Sequence, residues 1–97
     1  MAITFDIGSL LDSDPGYYGG RPFIRGKRVT VQRVAIVHNG GRSAEAISVD
    51  FRLEPAEVHA ALAYYFANKD EIDADVIAQD EEYDRLAAAH PSLADRL

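Results

Sequence analysis

Apolar positions recur every three to four residues along most of this chain and alternate only near its start. Ile3, Phe5 and Ile7 follow the two-residue period of a short strand. Asp12-Ser13-Asp14-Pro15-Gly16 and Gly19-Gly20 interrupt the pattern and read as loops. Pro22-Phe23-Ile24 and Arg28-Val29-Thr30-Val31 then flank Arg25-Gly26-Lys27. Two β-prone runs around a glycine-centred turn predict a small hairpin, with Pro22 suited to an edge strand.

Beyond the hairpin the period becomes helical. Thr30 can accept an orphan backbone N–H, which predicts a helix from Val31 to about Asn39 with Val31, Val34, Ala35 and His38 on one face. Asn39-Gly40-Gly41 ends it, glycine being free to adopt a left-handed cap. Ser43 caps a second helix, about Ala44–Asp50, with Ala44, Ile47 and Phe51 inward. Arg52-Leu53-Glu54 is a short turn, and Pro55 suits a first helical position because its missing N–H costs nothing there. A third helix, Pro55–Asn68, places Val58, Ala61, Leu62, Tyr65 and Phe66 on one buried stripe.

The last helix runs from about Asp70 to His90, where Pro91 stops it. Ile72, Val76, Gln79, Tyr83, Leu86, His90 and Leu93 follow a 4-3 spacing, the narrow seam of one helix laid along another. So thin a seam does not fold alone and needs a partner surface. The fold expected is mainly α: a three-helix core, a small N-terminal β-hairpin and an extended C-terminal helix. Residues 1–68 form the body, and 69–97 the acidic helix and tail.

Charge sharpens that division. Residues 1–52 carry seven Lys/Arg and five Asp/Glu, a balance of +2; residues 53–97 carry three and eleven, a balance of −8. A mildly basic front and a strongly acidic tail suggest two surfaces for two kinds of partner. With 97 residues the chain supports one modest core, for which dimerisation is a common aid. It has no cysteine, so it holds neither a disulfide nor a thiolate metal site, in keeping with a reducing cytoplasm. No apolar run approaches the roughly 20 residues of a membrane span, and the start lacks the basic region of a signal peptide.

Catalytic constellations are not apparent. Gly26-Lys27-Arg28 lacks the Ser/Thr of a phosphate loop. His38, His59 and His90 fall on three separate helices without metal-ligand spacing. Asp73-Ala74-Asp75 lacks the glycine and closing glutamate of a calcium loop. The acids Asp80-Glu81-Glu82 and Asp84 sit on a helix face with nothing to tune them for proton transfer. No enzyme activity and no cofactor are expected. Ser43 to Leu62 has helix-turn-helix spacing, and Arg25, Lys27, Arg28, Arg33, Arg42 and Arg52 are the candidate nucleic-acid contacts. The second helix of that unit opens on Glu54, Pro55, Ala56, Glu57 and His59, a poor set for reading base edges. Any DNA binding is therefore expected to be weak and electrostatic.

The segment Asp14-Pro15, then Gly19-Gly20-Arg21-Pro22-Phe23-Ile24-Arg25-Gly26-Lys27-Arg28-Val29-Thr30-Val31, resembles the signature G-G-[KR]-P-x-I-x-G-T-R-[IV]-x-V of the bacterial domain of unknown function 433. The resemblance extends through Glu45, Ile47, Asp50-Phe51, Leu53 and Ala60-Ala61-Leu62-Ala63-Tyr64, covering about residues 12–68. Lys27 stands where Thr is usual, no Pro follows Phe51, and Glu54 replaces the usual Thr or Ser cap. The resemblance implies a homeodomain-like or winged helix-turn-helix fold and a VapB-like antitoxin paired with a PIN-like ribonuclease toxin. On that reading the chain is a cytoplasmic homodimer whose C-terminal helix is the partner-binding arm. Ile72, Val76, Tyr83 and Leu86 make the buried contact, Asp73, Asp80, Glu81 and Asp84 face a basic groove, and Arg85 or Arg96 reaches the toxin's carboxylates. The alternatives are a DNA-binding regulator without a toxin, or a structural adaptor.

Overall fold

The structure, a computed structural model, describes residues 7–89. Of the expected first strand, Ile3 and Phe5 lie outside the described residues, and Ile7–Leu10 forms a 3-10 turn in place of extended chain. The body then builds on two very short strands, β1 (Leu11–Asp12) and β2 (Phe23–Ile24), paired antiparallel with Leu11 opposite Ile24 and Asp12 opposite Phe23.

The expected hairpin is present in reduced form on the other edge of β2. Ile24 N–H donates to the Val29 carbonyl at 2.9 Å, Val31 N–H to that of Pro22 at 3.0 Å, and Phe23 and Thr30 form a single bridge. Gly26 turns the chain at a φ of +76°, a region glycine enters without steric cost. The run Arg28–Val31 does not become a strand, because Val31 already opens the first helix. The ladder partner of β2 is instead Leu11–Asp12, of which the sequence pattern assigns Asp12 to a loop.

Four helices follow: α1 (Val31–Asn39), α2 (Ala44–Phe51), α3 (Pro55–Ala67) and α4 (Lys69–Ala89). Their starts obey the capping chemistry in the sequence. Thr30 Oγ1 accepts the Arg33 N–H at 3.0 Å, Ser43 Oγ accepts that of Ala46 at 3.1 Å, and Pro55 opens α3. At the end of α1 the left-handed residue is Gly41 (φ +107°), while Gly40 keeps helical geometry. α2 ends with Arg52 in the left-handed region at φ +55°. The next N–H, that of Leu53, returns to the Ser48 carbonyl at 2.9 Å, which drives Leu53 into the core.

The core gathers Ile24, Val31, Val34, Ile47, Val58 and Tyr65 with Ala35, Leu53, Ala61 and Leu62. Each large aliphatic side chain so buried contributes about 1.5–3 kcal/mol. Phe66 does not join it: at 56% exposure it lies on the rim beside His38 and Tyr65. The inward face of α3 is Val58, Ala61, Leu62 and Tyr65, and the next position rotates out of the stripe.

A single residue, Asn68, separates α3 from α4. Its φ of −127° breaks the helix, its N–H donates to the carbonyls of Tyr64 and Tyr65, and its own carbonyl accepts from Ile72 N–H at 3.0 Å. α4 therefore begins at Lys69, one intervening residue beyond the end of α3. Its first turns lie on the body, where Ile72 packs against the core cluster, while no residue of α4 is fully buried. No helix among the described residues is long and apolar enough to cross a membrane.

Candidate functional site

Two polar contacts fix where α4 leaves the body. Arg21 Nε donates to Asp75 Oδ2 at 2.6 Å and Arg21 Nη2 to Asp75 Oδ1 at 3.0 Å, a two-point contact suited to the planar guanidinium. Gln32 Nε2 adds a longer bond to Asp75 Oδ2 at 3.3 Å. The Arg21 bonds hold the Asp75 carboxyl below its usual range, against an opposing effect of burial, and raise Arg21 in turn. In the second contact, the buried Tyr65 hydroxyl accepts from Asn39 Nδ2 at 2.9 Å and donates to Asp73 Oδ1 at 2.7 Å. Lys69 also pairs with Asp73, and its bond, followed by that of Tyr65, lowers the Asp73 carboxyl. Asp73 is thus engaged by its own chain.

Past Val76 the helix carries its seam beyond the body. The face covered at Ile72 and half-buried at Val76 continues through Gln79, Tyr83 and Leu86, and the last two are 41% and 43% exposed. A shallow cleft of about 460 Å³ runs from the Arg21–Asp75 pair past Gln79 and Glu82 to Tyr83 and Leu86. Asp80, Glu81 and Asp84 are exposed on the same stretch of helix but do not line the cleft. Arg85 pairs with Glu82 one turn away, so it is not a free cation.

The six candidate nucleic-acid cations are all exposed but not equivalent. Arg42 is held by Asp50, and Arg25 lies 3.6 Å from Asp12. Arg33 stands on the first turn of α1 and Arg52 at the left-handed end of α2. Only Lys27 and Arg28 are brought to one cleft, at the tip of the Gly26 turn, with Tyr17, Tyr18 and Phe23. At the start of α3, Glu57 is buried and its Oε1 accepts the Glu54 N–H at 2.8 Å, so one of the two carboxylates there is a helix cap.

Sequence reasoning did not single out Arg21, Gln32 or Asp75 as a unit, nor Tyr17 and Tyr18. The first three are far apart in the chain and no local spacing links them. The adjacent tyrosines before Gly19-Gly20 were a visible signal, since large rings in a glycine loop have no core to enter. Among the described residues no three His, Asp or Glu side chains gather as metal ligands.

Of the signature residues, Gly26 thus turns the chain after β2 and Arg21 clamps α4. The model of the family described as protein of unknown function (DUF433) matches residues 11–65. The chain belongs to the DUF433 family. The family segment spans β1 to the buried Tyr65, so it contains Arg21 and Gln32 but not their partner Asp75. α4 lies wholly outside the DUF433 match. No curated protein and no solved structure matches the chain.

Proposed function

We propose that this chain is a non-enzymatic, VapB-like antitoxin: a cytoplasmic homodimer whose DUF433 body is a homeodomain-like or winged helix-turn-helix unit and whose C-terminal helix covers a PIN-like ribonuclease. The observation that carries the reading is the uncovered continuation of the α4 seam. Tyr83 and Leu86 offer large apolar surface on the same helical face that the body covers at Ile72. Asp80 and Asp84 are exposed on the flank of that face, and Glu81 is exposed on the opposite side of the helix, which makes the whole segment negative. An RNA-cleaving partner presents a basic groove, which such a helix would meet quickly and in a salt-sensitive way. Tyr83 is the natural anchor, because tyrosine buries a large area at small entropic cost.

On this reading the arm proper begins past Ile72, which packs against the chain's own core, and half-buried Val76; its contacts are Asp80, Tyr83 and Leu86, with Arg85 available only by exchange from Glu82. The body contributes weak DNA contact through Arg25, Lys27, Arg28, Arg33, Arg42 and Arg52, falling steeply with salt. The test is an RNA-cleavage assay with a PIN-like nuclease encoded beside this chain. The wild-type protein should silence it, and the Tyr83→Ala, Leu86→Ala double variant should not. A nuclease left fully active by a molar excess of the wild type would overturn the reading.

A further inference from the structure

The cleft at the Gly26 turn combines features that the partner arm does not use. Tyr17, Tyr18 and Phe23 form a three-ring cluster, with centroids 6.5, 6.4 and 5.5 Å apart and planes tilted 43–69° to one another. Tyr17 is 61% exposed and Tyr18 40%, so both rings face solvent. Lys27 and Arg28 line the same cleft of about 460 Å³, and no acidic side chain does. Arg21, Arg42, Lys69 and Arg85 each hold a carboxylate, whereas Lys27 and Arg28 have no ion-pair partner among the described residues.

The backbone presents these rings at a cost. Tyr18 occupies the left-handed region at φ +55°, which disfavours any residue with a Cβ by about 1 kcal/mol. It is kept there by the Arg21 guanidinium, whose Nη1 donates to the Tyr18 carbonyl at 3.1 Å, and by Gly20 N–H, which donates to the Tyr17 carbonyl at 2.9 Å. Strained backbone held by its surroundings is a mark of ligand sites, because it presets a side chain before the ligand arrives.

We infer that this cleft binds single-stranded nucleic acid, with bases stacked on Tyr17 and Tyr18 and phosphates met by Lys27 and Arg28. Exposed rings beside unpaired cations are the combination that holds single strands without regard to sequence. A duplex hides the faces of its bases and offers the rings nothing. This deepens the weak DNA contact proposed above, which is purely electrostatic, and is independent of the toxin reading.

The probe is a fluorescently labelled oligothymidine of twelve nucleotides, compared by anisotropy with a duplex of the same length. The single strand should bind more tightly than the duplex. With two phosphates neutralised, binding should weaken about sevenfold between 50 and 200 mM salt. Tyr17→Ala, at an extended position that alanine accepts, and Tyr18→Asn, which tolerates the left-handed region, should each weaken single-strand binding about fivefold or more and leave the salt dependence unchanged. The Lys27→Gln, Arg28→Gln variant should flatten the salt dependence. Circular dichroism on every variant establishes that it is folded. Equal affinity for both probes, unmoved by the tyrosine variants, overturns the stacking site and leaves the electrostatic contact standing. Binding of neither probe overturns both. If the Lys27→Gln, Arg28→Gln variant loses self-association while oligonucleotide binding is unmoved, the cleft receives the acidic helix of a second copy and the inference is wrong.

Discussion

Arg21 and Asp75, 54 positions apart, meet in a two-point ion pair that ties the family's signature loop to the helix beyond the family segment. Both side chains keep about a third of their surface in water, at 33% and 37%. The pair is therefore worth about 1 kcal/mol rather than the larger figure of a buried pair. Asp75→Asn should lower the unfolding free energy by about that amount in chemical denaturation. A change indistinguishable from zero would mean that Ile72 and the Tyr65–Asp73 bond hold α4 unaided.

The acidity of that contact gives it a pH window. Asp75 and Asp73 are held below the usual carboxylate range, mainly by Arg21 and Lys69 respectively. A carboxyl depressed in the folded state stabilises the fold above its unfolded value, about 3.9, and that stabilisation fades as pH falls through the folded value. The difference in melting temperature between wild type and Asp75→Asn should be present at pH 6 and close as pH drops below about 4. A difference unchanged at pH 3 would remove the ion pair as its cause.

Where the chain is cut should matter more than how much is cut. Ending it after Ala78 retains Ile72, Asp73 and Asp75 with their partners and should leave the melting temperature close to that of the full chain. Ending it after Asn68 removes all three and should lower stability by about 2 kcal/mol, the sum of the Ile72 contact and the Arg21–Asp75 pair. Calorimetry on the two truncations decides it, and equal melting temperatures would show that α4 contributes nothing to the body.

Arg52 carries strain of its own. Its φ of +55° at the end of α2 is a position that glycine fills at no steric cost. Arg52→Gly should raise stability by about 0.5–1 kcal/mol and, if the body meets DNA, weaken that binding slightly at low salt. Lower stability would mean that the arginine makes a contact worth more than the strain.

How much of this was legible in the sequence follows from the range of the interactions. Helix starts are written locally: Thr30, Ser43 and Pro55 announce them, and the structure places α1, α2 and α3 as those residues dictate. β1 and β2 are two residues each, too short for any period, and their pairing spans the Gly19-Gly20 loop, so the choice of Leu11–Asp12 as partner had no local mark. Phe66 continued an apolar stripe on paper, yet the body is narrower than the stripe and left its ring at the rim. The Arg21–Asp75 clamp joins a loop to a distant helix, and only the fold brings them together. The exposed seam of α4 was legible as a 4-3 spacing; how far the body covers it was not.

The break at Asn68 lets α4 act as a lever. A rod of 21 residues extends about 30 Å at 1.5 Å per residue. On the same rise Leu86 stands about 27 Å from the fulcrum, while Asp75 stands about 10 Å from it. A sideways load at Leu86 is thus multiplied about 2.6-fold where Arg21 grips Asp75. Arg21 is rooted in the turn that sets the backbone of Tyr18, so torque on the far end of the helix is shared between the Tyr17–Tyr18 loop and the core contacts of Ile72 and Asp73.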